Sequence, residues 1–103
     1  MTETKPRFSL IPMNALWEVA RVLTFGPSKG YADFGWREKD IHYHADAAFR
    51  HLNQYLRGEV LDQESKIHSL AHAAARVLMM LALSLDPQKT DRQLSRDSTK
   101  GSV

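Results

Sequence analysis

The stretch RHLNQYLRGEVLDQESKIHSLAHAAAR, residues 50–76, decides the fold of this chain. It opens in a helical pattern and breaks at Gly58. It then passes through an acidic elbow holding Glu59, Asp62 and Glu64, and resumes a helical pattern near Lys66. Two helices joined by so short a turn pack as antiparallel neighbours. Three histidines, His51, His68 and His72, flank the elbow. With the second helix beginning near Lys66, His68 and His72 are four residues apart and are expected to share one of its faces.

Outward from the elbow, two more boundaries follow. The helix before it is expected over residues 40–57, with Asp40 as its cap and Gly58 as its end. Its apolar stripe reads Ala45, Ala48, Phe49, Leu52, Leu56. A further helix is expected upstream over residues 12–24. Pro12 suits its first turn, Gly26-Pro27 its stop, and Leu16, Val19, Ala20, Leu23 its stripe. The helix after the elbow is expected over residues 66–85 with Ser65 as cap. Nothing alternates with period two, so no strand is expected and the fold class is all-α with three main helices. The last helix is unusual. One face carries Ile67, Leu70, Ala74, Leu78, Leu81 and Leu85, the expected core. The other begins with His68, His72 and Arg76 and ends with Met79, Met80 and Leu83. A helix apolar on two sides needs partners on both, so a homodimer or homotetramer is expected to complete the bundle.

Composition bounds the rest. The 103 residues make one domain, with 14 basic and 12 acidic side chains scattered along the chain. That balance gives no electrostatic footprint for nucleic acid. The absence of cysteine excludes disulfides and thiolate chemistry. The opening MTETKPRFSLIP lacks the apolar core of a signal peptide. The longest apolar run, residues 77–83, is far short of the ~20 residues that cross a bilayer. No membrane partner and a cytoplasmic location are therefore expected. Residues 1–9 read as a loosely held segment, 10–86 as the domain, and 87–103 as a disordered tail too polar to offset its ordering entropy.

The elbow supports two readings. In the first, Glu59, Asp62 and Glu64 hold a divalent cation while His51, His68 and His72 serve as ligands or proton-transfer groups. In the second, the carboxylates solubilise a loop and cap a helix, and each histidine is a polar residue at a helix edge. The connector FGPSKGYADFGWREK, residues 25–39, is similarly double. Lys29 and Arg37 suit phosphates and Tyr31 or Trp36 a base, or the aromatics simply cover the bundle end. Arg50 suits a phosphate or pairs with Asp46. Glu18 is a solvated residue or reaches the site of a second subunit.

The ordered segments LIPMNALWEVARVLTFGPSKGYADFGW (10–36), AAFRHLNQYLRGEVLDQES (47–65) and HSLAHAAARVLMMLAL (68–83) resemble the phage dATP/dGTP diphosphohydrolase family. More remotely they resemble the MazG-type all-α nucleoside triphosphate pyrophosphatases. The chain departs from the family pattern at Lys66, usually glycine, at Arg76, commonly asparagine, and at Gly35, usually asparagine; the loop near Gly30 is one residue longer. Glu18 stands alone where the MazG-type motif is rich in glutamate. The resemblance implies cleavage of a purine deoxynucleoside triphosphate, dATP or dGTP, to monophosphate and pyrophosphate, with Mg²⁺ or Mn²⁺, in control of a phage-infected cell's nucleotide pool. On that reading Glu59, Asp62, Glu64, His68, His72 and Glu18 are the metal set. His51, His68, His72 and Glu64 are catalytic, and Lys29, Trp36 and Arg50 bind substrate. Two other classes stay open. One is an inactive nucleotide binder, in which Lys66 and Arg76 replace the cation's charge. The other is a non-enzymatic helical interaction module.

Overall fold

The computed structural model describes residues 4–86, so the expected tail lies outside the described residues. Three helices carry the fold: α1 (Met13–Ser28), α2 (Ile41–Leu56) and α3 (Ser69–Leu85). Single 3₁₀ turns occupy Phe8–Leu10 and Gly35–Glu38. Among the described residues the only strand-like pairing is the isolated bridge between Leu61 and His68. The all-α expectation holds.

α1 and α2 end by the same device. Gly58 sits at φ 96° after α2 and Gly30 at φ 99° after α1, a region that only glycine enters without strain. At the end of α2, Gly58 N–H donates to the Tyr55 carbonyl and Glu59 N–H to that of Gln54. At the end of α1, Gly30 N–H donates to Pro27 and Tyr31 N–H to Gly26. Both are the paired bonds of a Schellman cap. The expected stop at Gly26-Pro27 is therefore one turn too early. Proline usually unseats the residue before it from the helix by crowding its Cβ, and here that residue is a glycine with no Cβ. The cap of α2 is as expected, with Asp40 accepting from the His42 N–H at 2.6 Å.

α3 begins three residues later than expected, because Lys66 adopts φ 63° and breaks the helical run. A left-handed residue with a Cβ is strained by about 1 kcal/mol. The elbow before α3 is pinned rather than open. Asp62 Oδ2 accepts from the Glu64 and Ser65 N–H groups, Lys66 N–H donates to the Asp62 carbonyl, and Asp62 N–H to that of Ile67. Ser69 closes the loop, its N–H on the Val60 carbonyl and its hydroxyl on that of Glu59.

The faces of the helices are inverted relative to expectation. On α2 the buried residues are His44 and Ala47, while Phe49 and Leu56 of the expected stripe are 71% and 72% exposed. On α3 the buried face is Ala71, His72, Ala73, Ala75, Met79 and Leu83. Leu70, Ala74, Leu78, Leu81 and Leu85, assigned to the core from sequence, face solvent. Of that set Ile67, before the helix, is buried. On α1, Leu16 and Ala20 are exposed and Val19 and Leu23 half-buried. Small side chains explain which face packs. Ala47 and Ala75 are fully buried, and alanines let α2 and α3 approach closely. α3 is central, with α2 and α1 both packed against it. The space left between the flanking helices holds the polar cavity described next.

Candidate functional site

A cavity of about 560 Å³ lies between the three helices. The last turns of α1 and the connector form one wall, contributing Phe25, Lys29, Tyr31, Trp36 and Lys39. α2 contributes Tyr43, His44 and His51, the elbow Asp62 and Glu64, and α3 His72, Arg76 and Met79. Of the residues assigned from sequence to metal, catalysis or substrate, six therefore meet here, Lys29, Trp36, His51, Asp62, Glu64 and His72, and Tyr31 joins them.

The two imidazoles are in contact. His51 and His72 stack with ring centroids 4.7 Å apart and planes 25° from parallel. His51 Nδ1 lies 2.8 Å from Gln54 Oε1, an acceptor, so the neutral ring holds its proton on Nδ1 and keeps a lone pair on Nε2. His72 Nε2 lies 2.7 Å from Ser65 Oγ, which also accepts from the Ile67 N–H. Burial pushes the His72 pKa below its ordinary range, and the neighbouring His51 and Arg76 push the same way against the pull of Asp62. That environment favours the neutral ring. Asp62 is its counterpart. Burial would raise that carboxyl, but the donors from Ser65 and Glu64 and the nearby His72 outweigh it, so Asp62 stays ionised. Lys29 and Glu64, expected to hold a phosphate and an ion, hold each other in an exposed ion pair. That bond raises the Lys29 pKa.

Sequence reasoning passed over a second constellation. His44 is completely buried. Its Nδ1 accepts from Arg76 Nη1 at 2.9 Å, which leaves its proton on Nε2 and directs it to the Trp36 carbonyl at 2.8 Å. Burial, with Arg76 and Lys39 adding to it, lowers the His44 pKa, although the Trp36 bond opposes them. This chain of bonds ties α3 to α2 and to the turn carrying Trp36. The Trp36 ring is edge-on to His44 and lies under the Arg37 guanidinium at 5.0 Å. The sequence does place His44 and His51 seven residues apart on one edge of α2, but it carries no sign that Arg76 and the Trp36 carbonyl meet His44 there.

Four expected site residues lie elsewhere. His68 is not on a helix face. It is the N-cap of α3, its Nδ1 accepting from the Leu70 N–H, and its ring stacks on Tyr55 at 5.5 Å. The expected pairing of His68 with His72 fails because Lys66 delays the helix. Glu18 pairs with Arg21 on α1 at 2.7 Å. Glu59 is exposed on the elbow, where its carbonyl rather than its carboxylate is used. Arg50 is exposed on α2 and does not line the cavity.

Among the described residues no three histidine, aspartate or glutamate side chains stand close enough to hold an ion by themselves. The elbow carboxylates do not fit a preassembled protein cage. They do fit Mg²⁺, which keeps several waters and takes one or two carboxylates together with substrate phosphates. Asp62, already ionised, and Glu64, once freed from Lys29, are the two on the cavity wall.

An all-α domain with stacked imidazoles, elbow carboxylates and aromatic-flanked cations around one interhelical cavity is the class that fold and site define. Residues 1–93 match the family "dATP/dGTP diphosphohydrolase, N-terminal", and the chain belongs to that family. A dATP/dGTP diphosphohydrolase of Salmonella phage PMBT28 is 34% identical over 92 residues, which is 88% of this chain and 31% of that protein. The chain thus spans about a third of the length of that curated relative. No solved structure matches it. Among the described residues no helix is long and apolar enough to cross a membrane.

Proposed function

We propose that the interhelical cavity binds a purine deoxynucleoside triphosphate and that the chain hydrolyses it to monophosphate and pyrophosphate. The observation that carries this reading is the convergence of His51, His72, Asp62, Glu64, Lys29 and Trp36 on one cavity from four separate segments of a chain of this family. Tyr31 and Trp36 offer faces for a base, and Lys29 a cation for a phosphate. Mg²⁺ or Mn²⁺, held by Asp62 and Glu64, would neutralise charge building on the phosphates. Lys29 and Glu64 suit the arrival of such a pair, since a cation–triphosphate complex presents an anion to one and a cation to the other. His51, with its lone pair on Nε2, accepts the proton of the attacking water. His72, neutral and stacked against it, holds the ring in place.

Self-association belongs to the same proposal. A second copy of the chain covers the apolar stripes that the single chain leaves in water, on a homodimeric or homotetrameric plan.

A pyrophosphate-release assay over the four dNTPs with Mg²⁺ and with Mn²⁺ tests the hydrolysis. Turnover of dATP or dGTP is expected. His51→Ala and Glu64→Gln should each lower it by at least about a hundredfold. His68→Ala, remote from the cavity, should leave turnover within a few-fold. Full activity in the His51 and Glu64 variants would sink the assignment. One observation favours a second reading, a nucleotide binder without turnover. Among the described residues no three-donor group stands ready to hold an ion. Calorimetric binding of dGTP with no pyrophosphate released would decide for it.

A further inference from the structure

The cavity wall carries a charge that the hydrolytic reading does not use. Arg76 on α3 is half-buried, and among the described residues no carboxylate pairs with it. The carboxylates that share its cavity are engaged elsewhere, Asp62 by the elbow N–H groups of Glu64 and Ser65 and Glu64 by Lys29. Arg50 on α2 repels it, and Arg76 in turn lowers the proton affinity of His72 and His44. A partly desolvated cation with no counter-ion is costly unless something of opposite charge completes it.

The guanidinium is also held in place. One nitrogen donates to His44 Nδ1 at 2.9 Å, and its carbon lies 5.6 Å from the centre of the Tyr43 ring. His44 is itself locked by the Trp36 carbonyl, which fixes the acceptor that Arg76 meets. Among the described residues the fork meets no acceptor other than His44 and Tyr43. A planar fork with donors to spare, fixed at a cavity wall, matches two oxygens of a phosphate.

We propose that Arg76, held by His44 and Tyr43, is an anion subsite that takes a phosphate group of a polyphosphate chain without a divalent cation. The proposal rests on the nucleotide reading above for the source of that chain, a nucleoside triphosphate. It goes beyond that reading in assigning part of the grip to a residue outside the metal and imidazole set.

The test is calorimetric titration of the full chain in EDTA with inorganic tripolyphosphate, dGTP and deoxyguanosine. Wild type, Arg76→Gln and Arg76→Lys are compared, with thermal melting as the check on folding. Glutamine retains a donor for His44 and loses the charge; lysine retains the charge and loses the fork. Wild type should bind tripolyphosphate and dGTP without metal. Arg76→Gln should weaken both by about tenfold or more, Arg76→Lys by less, and neither should change deoxyguanosine binding. Should Arg76→Gln not fold, Arg76→Lys decides alone, since unchanged tripolyphosphate affinity in it overturns the subsite. Wild type that binds neither tripolyphosphate nor dGTP in EDTA overturns it too. Arg76-dependent tripolyphosphate binding with no gain from the nucleoside upholds the subsite and removes the nucleotide reading. Binding of dGTP with Mg²⁺ that is indifferent to Arg76 does the reverse.

Discussion

The two faces of α3 make opposite uses of their residues. The inner face, Ala71, His72, Ala75, Arg76 and Met79, is small and polar, yet it is the one that packs. The outer face, Leu70, Val77, Leu78, Leu81 and Leu85, is large and apolar, and it meets water. Hydrophobic burial alone would have chosen the other way, because a leucine removed from water contributes about 1.5–3 kcal/mol and an alanine far less. Close approach and polar bonding decide instead. Alanines bring α2 near enough for His44 to reach Arg76 and for His51 to stack on His72. On the proposed reading the inner face holds the site and the outer face is left for a second copy.

The largest effect should come from crowding the inner face. Ala75 is fully buried, so Ala75→Leu should destabilise the fold by about 2–3 kcal/mol in urea unfolding. Leu81→Ala on the outer face should change the stability of the dilute single chain by no more than about 0.5 kcal/mol. Equal losses at both positions would erase the distinction. Outer-face charge gives the next largest effect. Leu78→Glu with Leu81→Glu should leave the melting temperature of the single chain almost unchanged while shifting light-scattering mass toward the monomer. A wild-type chain that is monomeric at every concentration would remove the second copy from the account.

Acid should act through the inner face. His44 and His72 both titrate below their ordinary value of 6.5 in the fold, chiefly because burial disfavours the charged ring. The unfolded chain therefore binds more protons as pH falls through about 6.5 and below, so folding stability rises with pH across that window and is lost on acidification. Asp62 adds the same sign lower down. Its depressed pKa contributes stability above the ordinary 3.8 that is lost as pH falls below that value. Urea unfolding at pH 7 and pH 5 should show the loss. His72→Gln should flatten it, and Leu81→Ala should leave the slope alone. An unchanged slope in His72→Gln would mean that this ring is not held neutral by the fold.

Much of this was legible in the sequence, and what was not has a physical cause. Helix existence followed from the breaks at Gly58 and the cap at Asp40. Helix faces did not follow, because periodicity reports which side is apolar and not which of two apolar sides its own chain covers. The cavity residues from the connector and elbow were found by chemical type, and Lys29, Trp36, Asp62 and Glu64 do converge. His68 was misplaced because one backbone angle at Lys66 moves the start of α3, and no side-chain pattern encodes that angle. Arg76 and His44 were undervalued because a buried pair is recognised only once α2 and α3 are side by side.

The smallest effect concerns that same angle, and it separates the elbow from the helix it precedes. Lys66 occupies φ 63° with a Cβ that the conformation disfavours. Lys66→Gly relieves the strain but adds freedom to the unfolded chain, so the two contributions partly cancel. A net gain of about 0.5 kcal/mol is expected in urea unfolding, with no shift in the start of α3 by amide exchange. Lys66→Val, whose branched side chain tolerates this region least, should instead cost about 1–2 kcal/mol. The elbow would then be pulled toward the helical continuation that the residue pattern favours, which carries Glu64 and Ser65 away from Lys29 and His72. Loss of dNTP turnover in Lys66→Val beside full turnover in Lys66→Gly would place the control of the site in this one backbone turn. Equal loss of turnover in the two variants would move it to the lysine's charge.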